Sequence, residues 1–269
     1  MNERVLILSD LHMGHPVSRL ERVSALKPLL DGVGTVIWNG DTWQEMTPPF
    51  RQRSAEMLAE LDSLCDSLGV RQVHLPGNHD PGWPGNGWIE LAKGNIVISH
   101  GDSLFDEGSP WKREILMNHE IVLDLWKQHP EARHDPIQRH ALAREIALKL
   151  PSMDHPEGRS LFQRAWDAVL PPRRALKILE SWCFQAHAGN AFCNAFFPAC
   201  QVLIIGHFHH HGIWRRGKRL ILNTGSFMNP AKPCWVEWHN HWLSFGEIQE
   251  SRDACRKGNT LGTWRIHND

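Results

Sequence analysis

Hydrophobic and polar positions divide the first hundred residues into short apolar runs that alternate with amphipathic stretches. Residues 19–30 and 51–69 carry apolar side chains at helical spacing, and the second stretch closes on Gly69. Four other runs are nearly continuous in apolar residues up to a polar end, as is typical of strands covered on both faces. They are RVLILSD, TVIWNGD, VRQVHLPGNHD and NIVISHGD. This alternation predicts a layered α/β fold with a mostly parallel sheet.

The pattern changes over residues 103–200, where three long segments have the periodicity of amphipathic helices. They are KREILMNHEIVLDLWKQ, PIQRHALAREIALKL and RRALKILESWCFQ. The run QVLIIGHFHHHG then returns to a strand, and RLILNTGSF, CWVEWHN and WLSFGEIQ predict closing strands. We therefore expect a single domain over residues 1–269, interrupted by a helical insertion over residues 103–200.

Composition and charge restrict the kind of protein. The chain has 269 residues, 41% hydrophobic and 22% charged, with a net charge of -1. This balance is ordinary for a globular domain and gives no strong nucleic-acid signal. No run approaches the length of a transmembrane segment, although peripheral membrane contact stays open. The six cysteines form no C-x-x-C, and the chain enters a strand at once without a signal peptide. We expect reduced thiols and a cytoplasmic location.

Polar side chains follow five of the predicted strands. Because ligands of α/β sheets bind beyond the carboxyl ends of strands, these side chains can converge on one crevice. The chain also has 18 histidines, and histidine is the commonest metal ligand. The five motifs are Asp10-Leu11-His12, Gly40-Asp41, Gly77-Asn78-His79-Asp80, His100-Gly101-Asp102 and Gly206-His207-Phe208-His209.

The donor types predict a metal site of a particular kind. Residues two apart in an extended segment face the same way, which pairs Asp10 with His12 and His207 with His209. Carboxylate, imidazole and amide donors without thiolate suit manganese, iron or zinc. The donors exceed one tetrahedral shell, so we expect two ions. Two ions roughly 3.5–4 Å apart can activate a bridging hydroxide for in-line displacement at phosphorus.

These five motifs, in this order, resemble the calcineurin-like metallophosphoesterase superfamily over about residues 4–102 and 201–228. The resemblance implies a four-layer α/β sandwich, in which two facing mixed β-sheets are flanked by helices, with a helical cap insertion. It also implies a set of ligands for two divalent ions, manganese with iron or zinc as alternatives. The first ion is held by Asp10, His12 and His209, the second by Asn78, His100 and His207, and Asp41 bridges both.

The same resemblance implies two catalytic residues that do not bind metal. His79 would lie beside the leaving-group oxygen, where it stabilises charge in the transition state or donates a proton. Asp80 would orient His79.

Within the superfamily, the chain is similar to the UDP-2,3-diacylglucosamine hydrolases of lipid A synthesis. The similarity lies in SDLHMG, in the aromatic residue that ends NGDTW, and in a helical insertion after HGD. The chain departs from them in its long insertion and in HGDSLFDEGSP, which lacks the C-T-D-D continuation. We expect a hydrolase of a phosphomonoester, phosphodiester or pyrophosphate, on a small-molecule or lipid-linked substrate. The alternatives are a protein phosphatase or nuclease on the same scaffold, or a non-catalytic binding scaffold.

Several other features have two interpretations. His210 and His211 adjoin the ligands and are either exposed, supportive of the ligands, or in contact with substrate phosphate. The apolar stretch over residues 190–200 is either a buried helix end or the lining of an acyl pocket. Four basic residues form either a solvated helix face or a site for a second phosphate. They are Arg164, Arg173, Arg174 and Lys177.

Overall fold

The structure is a computed structural model that describes residues 3–151 and 172–266. Its strands are β1 (Val5–Leu8), β2 (Thr35–Asn39), β3 (Arg71–Leu75), β4 (Trp88–Leu91), β5 (Ile96–Ser99), β6 (Val202–Ile205), β7 (Gly212–Arg216), β8 (Arg219–Asn223), β9 (Cys234–His239), β10 (Trp242–Glu250) and β11 (Cys255–Arg265). Its α-helices are α1 (Lys27–Leu30), α2 (Pro48–Leu68), α3 (Arg113–Met117), α4 (His119–Gln128), α5 (Pro136–Lys149) and α6 (Pro172–Phe196). Short 3-10 helices cover Val23–Leu26, Ala92–Gly94 and Pro130–Arg133.

The strands form two mixed sheets. The first has the order β11-β10-β9-β1-β2-β3, in which β1, β2 and β3 are parallel and β9, β10 and β11 pair antiparallel. The second has the order β4-β5-β6-β8-β7, with β5, β6 and β8 parallel and an antiparallel strand at each edge. In each sheet the parallel strands run the same way, so their carboxyl ends lie along one edge.

The predicted four-layer sandwich is confirmed by how the apolar side chains pack. One buried cluster lies between the sheets and contains Ile37 and Phe245 of the first sheet with Ile204 of the second. A second cluster joins the outer face of the first sheet to α1 and α2. A third joins the outer face of the second sheet to α6. The layers are therefore helix, sheet, sheet and helix.

The helical insertion has a small core of its own, formed by α3, α4 and α5 around Ile115, Trp126 and Ile146. We call these three helices the cap. Helix α6 behaves differently, because Phe192 and Cys193 pack on the second sheet. The last part of the predicted insertion is thus a layer of the sandwich. The apolar stretch over residues 190–200 is the buried helix end rather than an acyl pocket.

Some elements differ from the predicted ones. The helix expected over residues 19–30 is a 3-10 turn followed by one turn of α-helix with Pro28 near its start. The segment expected as one cap helix breaks at Asn118, where φ is -128° and ψ is 42°, and the Asn118 amide donates to the Glu114 carbonyl. Strands β4, β7 and β11 were not predicted. All three are partly exposed edge strands, and β11 contains two glycines, so tertiary pairing rather than propensity forms them.

No helix in the described part of the chain is both long enough and apolar enough to span a bilayer.

A buried histidine joins the cap to the sandwich. His140 lies on α5, and its Nδ1 donates to the Pro136 carbonyl at 2.8 Å. Its Nε2 therefore accepts, from the hydroxyls of Ser99 at 3.0 Å and Ser103 at 3.1 Å. Ser99 is the last residue of β5. Burial lowers the pKa of His140 from 6.5 to about 4, so the joint is built for a neutral imidazole.

We predict that His140 makes the free energy of unfolding decrease at acidic pH. Below pH 6.5 the unfolded chain protonates His140, whereas the folded chain resists protonation until about pH 4. The contribution of neutral His140 to the free energy of unfolding is present above pH 6.5. It is lost as the pH falls from 6.5 to about 4, by up to about 3 kcal/mol. Urea unfolding of wild type and His140→Gln should show a free-energy difference that shrinks across this interval. The matched control is His187→Gln, at an exposed position of α6. A difference that stays constant from pH 7 to pH 4.5 would exclude His140 as the cause.

Candidate metal centre

The five motifs meet at the carboxyl ends of strands from both sheets. Each motif begins one or two residues after its strand: β1, β2 and β3 in the first sheet, and β5 and β6 in the second. The two sheets face each other, so the polar ends of their parallel strands lie on two sides of one cleft. The sandwich thus brings together residues that are 197 positions apart in the chain, as in the hydrogen bond from the His207 backbone N–H to the Asp10 carboxylate.

Most of the predicted ligands have a left-handed backbone rather than an extended one. The φ angles are 53° at Asp10, 47° at His12, 52° at Asp41, 66° at His207 and 52° at His209. Non-glycine residues in this region cost free energy and concentrate at functional sites. Strand parity predicted that Asp10 pairs with His12 and His207 with His209, but these residues do not have the extended backbone on which that argument rests. Each pair turns inward through two left-handed residues, while the side chain between them is buried in the core.

The first group of donors contains Asp10, His12, Asp41 and His209, whose donor atoms all lie within 4.8 Å of one another. The Nε2 atoms of His12 and His209 are 3.1 Å apart. His209 Nε2 is 3.2 Å from Asp10 Oδ1, and His12 Nε2 is 3.7 Å from Asp41 Oδ2. Two imidazole nitrogens and two carboxylates thus point at one position.

The second group contains Asp41, His100 and His207, again within 4.8 Å. His100 Nδ1 donates to the Asn39 carbonyl at 2.9 Å, which leaves the lone pair on Nε2, 3.4 Å from Asp41 Oδ2. His207 Nε2 is 3.2 Å from the Gly108 carbonyl. Donation there leaves the lone pair of His207 on Nδ1.

Two buried atoms show that the second group fits a cation. Among the described residues, His100 Nε2 and Asn78 Oδ1 are buried and have no hydrogen-bond partner. A buried polar atom without a partner costs about 1–3 kcal/mol, so such atoms need an explanation. Both are lone-pair donors, and the full set of oxygens and imidazole nitrogens suits a divalent ion. The residues present therefore fit a pair of metal ions.

The charge of Asp41 organises both groups. Burial alone would raise the pKa of Asp41, but the nearby His100, His79 and His12 rings hold it well below its ordinary value. Burial likewise acts to lower the pKa of His100, and the Asp41 carboxylate raises it well above the ordinary value. Burial lowers the pKa of His12, which favours the neutral imidazole that binds metal.

Glycines allow the close approach of these side chains. Gly40 has a φ of 78°, and a Cβ there would overlap the His100 ring. A Cβ at Gly206 would overlap the Asp10 carboxylate and the Ser9 hydroxyl. Asp10 is fixed at this place because its carboxylate accepts from the His207 backbone N–H at 3.0 Å and from the Ser9 hydroxyl.

His79 borders the centre, but Asp80 does not orient its ring as the resemblance implied. The Asp80 carboxylate instead accepts four hydrogen bonds, three from the backbone N–H groups of Asp41, Thr42 and Gly77 and one from Trp83 Nε1. Asp80 thus holds together the loops that carry Asp41 and His79. The His79 backbone N–H donates to Asp41 Oδ1 at 2.8 Å, and its ring lies edge to face with His12 at 4.9 Å.

The ring of His79 is held by Gln44, a residue that the sequence analysis missed. Gln44 is fully buried, and its amide lies between two imidazoles. Oε1 is 3.2 Å from His79 Nδ1, and Nε2 is 2.9 Å from His12 Nδ1. Gln44 therefore connects a predicted metal ligand to the predicted catalytic histidine. The signal for it was a polar residue three positions after Asp41, in the link between β2 and α2.

His210 points away from the metal-donor groups. Its ring stacks on Trp182 at 5.0 Å, and its Nδ1 is 3.1 Å from Gln185 Nε2. Of the basic set, Lys177 pairs with Glu180 at 2.8 Å and Arg173 is exposed, while Arg164 lies outside the described residues. These contacts match a solvated helix face.

The arrangement defines a class of protein: two metal-donor groups that share one carboxylate, at the strand ends of an α/β sandwich, are the centre of a metal-dependent phosphoester hydrolase. The chain belongs to the calcineurin-like phosphoesterase family, whose profile matches residues 3–211. No match was found among curated proteins.

Solved structures offer fold-level similarities at low identity. The chain is similar to Yfce, a phosphoesterase from E. coli, with a TM-score of 0.45 and 15% identity over 98% of this chain and 100% of that one. It is also similar to a dimetal phosphatase from Danio rerio, with a TM-score of 0.45 and 12% identity over 94% and 98%. A third similarity is to Vps29 of Chaetomium thermophilum, with a TM-score of 0.47 and 10% identity over 98% and 99%.

We predict that neighbouring histidines differ in their effect on metal content. His209→Ala removes a donor from the first group and should lower bound metal by about one ion per chain, because the three remaining donors leave that shell incomplete. His210→Ala is the matched control and should leave metal content unchanged. Elemental analysis of proteins purified in parallel measures both. Equal losses in the two variants would contradict the assignment.

We predict that Gln44→Met retains the fold but lowers metal affinity or activity by about 10–100-fold, since it removes the hydrogen bonds that orient His12 and His79. Titration of manganese into the metal-free protein, followed by assay of the loaded form, separates the two effects. Gln52→Met, on the exposed face of α2, is the control. Wild-type affinity and activity in Gln44→Met would show that both rings are positioned without it.

Proposed function

We propose that this protein hydrolyses a phosphate ester of a small molecule with two divalent ions. Asp10, His12 and His209 would hold the first ion, and Asn78, His100 and His207 the second. The observation that supports this most strongly is the shared carboxylate. Asp41 Oδ2 lies 3.4 Å from His100 Nε2 and 3.7 Å from His12 Nε2, so one oxygen faces both groups.

When bound, the two ions would activate water and offset the charge on the phosphoryl oxygens. The residues of the chain contribute orientation and proton handling. Asp41 is fixed by the His79 backbone N–H, and the His79 ring stands beside both donor groups. In our proposal the His79 ring lies beside the leaving-group oxygen and stabilises the charge that develops there. Asp80 keeps the His79 and Asp41 loops in register through its four hydrogen bonds.

The donor set supports manganese as the physiological metal, with iron and zinc as the other ions that suit it.

The lipid-linked substrate has separate support. The cap helices α3, α4 and α5 and the neighbouring α6 expose large apolar side chains. They are Met117, Leu123, Ile137, Leu148, Leu176, Leu179 and Phe184. A manganese-supplemented panel of phosphomonoesters, cyclic nucleotides, UDP-sugars and diacylated UDP-glucosamine tests this. Hydrolysis of the acylated substrate alone would assign the exposed apolar residues to acyl chains, and activity on small esters without it would remove that assignment.

The alternative of a non-catalytic scaffold makes an opposite prediction. A scaffold should purify without near-stoichiometric metal and should show no hydrolysis after manganese addition. The buried Asn78 Oδ1 favours the enzyme, because it has no hydrogen-bond partner among the described residues and a scaffold has no need to keep a buried lone pair unsatisfied.

We predict that Asp41→Asn lowers the rate of bis-p-nitrophenyl phosphate hydrolysis by several orders of magnitude with the fold retained. The reason is that the variant removes the one negative charge that both donor groups share. Asp66→Asn, at an exposed position of α2, is the matched control. Steady-state assays with circular dichroism of both variants decide the matter. A wild-type rate in Asp41→Asn would refute the two-ion mechanism.

A further inference from the structure

One predicted metal ligand is surrounded by residues that lead into the cap. We call residues 101–112, which connect His100 to α3, the entry loop. The Gly108 carbonyl lies 3.2 Å from His207 Nε2, and the Ser109 hydroxyl lies 3.4 Å from the same atom. The Trp111 ring packs on this imidazole, with 4.9 Å between the ring centroids. Three neighbouring residues of the entry loop thus contact the side of His207 that carries Nε2.

The Gly108 carbonyl determines which nitrogen of His207 can bind a metal. A carbonyl oxygen only accepts hydrogen bonds, whereas the Ser109 hydroxyl can donate or accept. An imidazole that binds a metal is neutral and has one N–H. Because Nε2 faces the carbonyl, the hydrogen is on Nε2 and the lone pair is on Nδ1. A hydrogen bond of this kind fixes both the tautomer and the ring orientation of a metal ligand.

Two cap helices hold the entry loop from the other side. Arg139 of α5 is buried, and its Nε donates to the Ser103 carbonyl at 2.7 Å. Its Nη1 pairs with the Asp106 carboxylate at 2.9 Å, and its guanidinium lies 4.6 Å from the centroid of the Trp126 ring. Trp126 of α4 donates from Nε1 to the Asp106 carbonyl at 2.8 Å. The backbone that leads to Gly108 is therefore anchored to the cap at two points.

Two other ligand imidazoles are oriented from within the sandwich. His100 Nδ1 donates to the Asn39 carbonyl at the end of β2, and His12 Nδ1 lies 2.9 Å from Gln44 Nε2. His207 differs from them because its orienting contacts come from the entry loop. A displacement of the cap should therefore disturb the second group of donors more than the first.

We propose that the cap positions His207 for the second ion, so that seating of the cap and binding of that ion stabilise each other. Gly108, Ser109 and Trp111 position the imidazole directly, and Arg139 is a positioning residue that acts through the entry loop. The inference rests on the proposed function, because it assumes a second ion. Such coupling is reciprocal: if the seated cap raises the affinity for the ion, the bound ion stabilises the seated cap by the same free energy.

A pair of matched glycine variants tests the role of the Gly108 carbonyl. Gly108 has a φ of 70° and Gly217, in the turn between β7 and β8, has a φ of 60°. An added Cβ meets nothing closer than 3.6 Å at either position. A β-branched residue rarely adopts this φ, so valine should rotate the backbone and, at position 108, turn the carbonyl away from His207.

Manganese titration into the metal-free proteins by calorimetry measures the affinity for each ion. Electron paramagnetic resonance distinguishes a single manganese from a coupled pair. Gly108→Val should weaken binding of the second ion by about 10–100-fold and retain the first. Gly217→Val has the same backbone cost and should bind both ions as the wild type does. Wild-type binding of both ions by Gly108→Val, or an equal loss of both, would overturn the inference.

Hydrogen exchange in the wild type tests the reciprocal effect and does not depend on the folding of Gly108→Val. Manganese should slow exchange in the entry loop, α4 and α5, and should leave β10 and β11 unchanged. In Arg139→Met, which removes an anchor between α5 and the entry loop, protection of α4 and α5 by manganese should be lost. Cap exchange that manganese does not change in the wild type would refute the coupling. Fewer than two bound ions in the wild type would instead overturn the proposed function, on which the inference rests.

Discussion

A carboxylate held between two sets of imidazoles is the constraint on which this structure depends. Asp41 is 1% exposed, so its charge is compensated by its neighbours rather than by water. The His100 ring approaches it from the second sheet and the His12 ring from the first. These imidazoles cannot all be protonated side by side, because burial and mutual repulsion disfavour several positive charges there. Bound cations would compensate the negative charge that the imidazoles leave uncompensated.

The backbone around this carboxylate is strained. Five predicted ligands have positive φ, a conformation that costs of order 1–3 kcal/mol for a residue outside glycine. The burial of neighbouring residues offsets the free-energy cost of these backbone conformations. Leu11 and Phe208, which stand between paired ligands, are both buried in the core. The neighbouring strands β1 and β6 are buried over most of their length. A rigid sandwich thus permits a geometry that short peptides would not adopt.

The cap is attached to the sandwich by polar contacts at the same edge. His140 joins α5 to the end of β5 through Ser99, one residue before His100. The Gly108 carbonyl and the Ser109 hydroxyl reach His207. These contacts explain why the cap belongs to the site rather than merely covering it. A change in the position of the cap would alter the surroundings of both His100 and His207, and with them the wall of the cleft that faces the substrate.

The sequence by itself determined most of the strands, the donor types and the order of the five motifs, because these depend on local pattern and on the chemistry of each side chain. It also predicted the shared role of Asp41, and the geometry of the two donor groups agrees with it. It did not predict that Gln44 rather than Asp80 would hold the His79 ring, or that Trp111 would pack on the His207 ring.

The tertiary structure decided those points because each depends on which side chains meet across the sandwich. Gln44 acquires its role only when His12 and His79, from two different strand ends, stand on either side of it. Helix α6 becomes a layer of the sandwich only because the second sheet offers an apolar outer face. Strand β11 forms because β10 supplies its hydrogen bonds. Contacts between distant residues are not encoded in the period of any one segment, so the pattern along the chain could not show them.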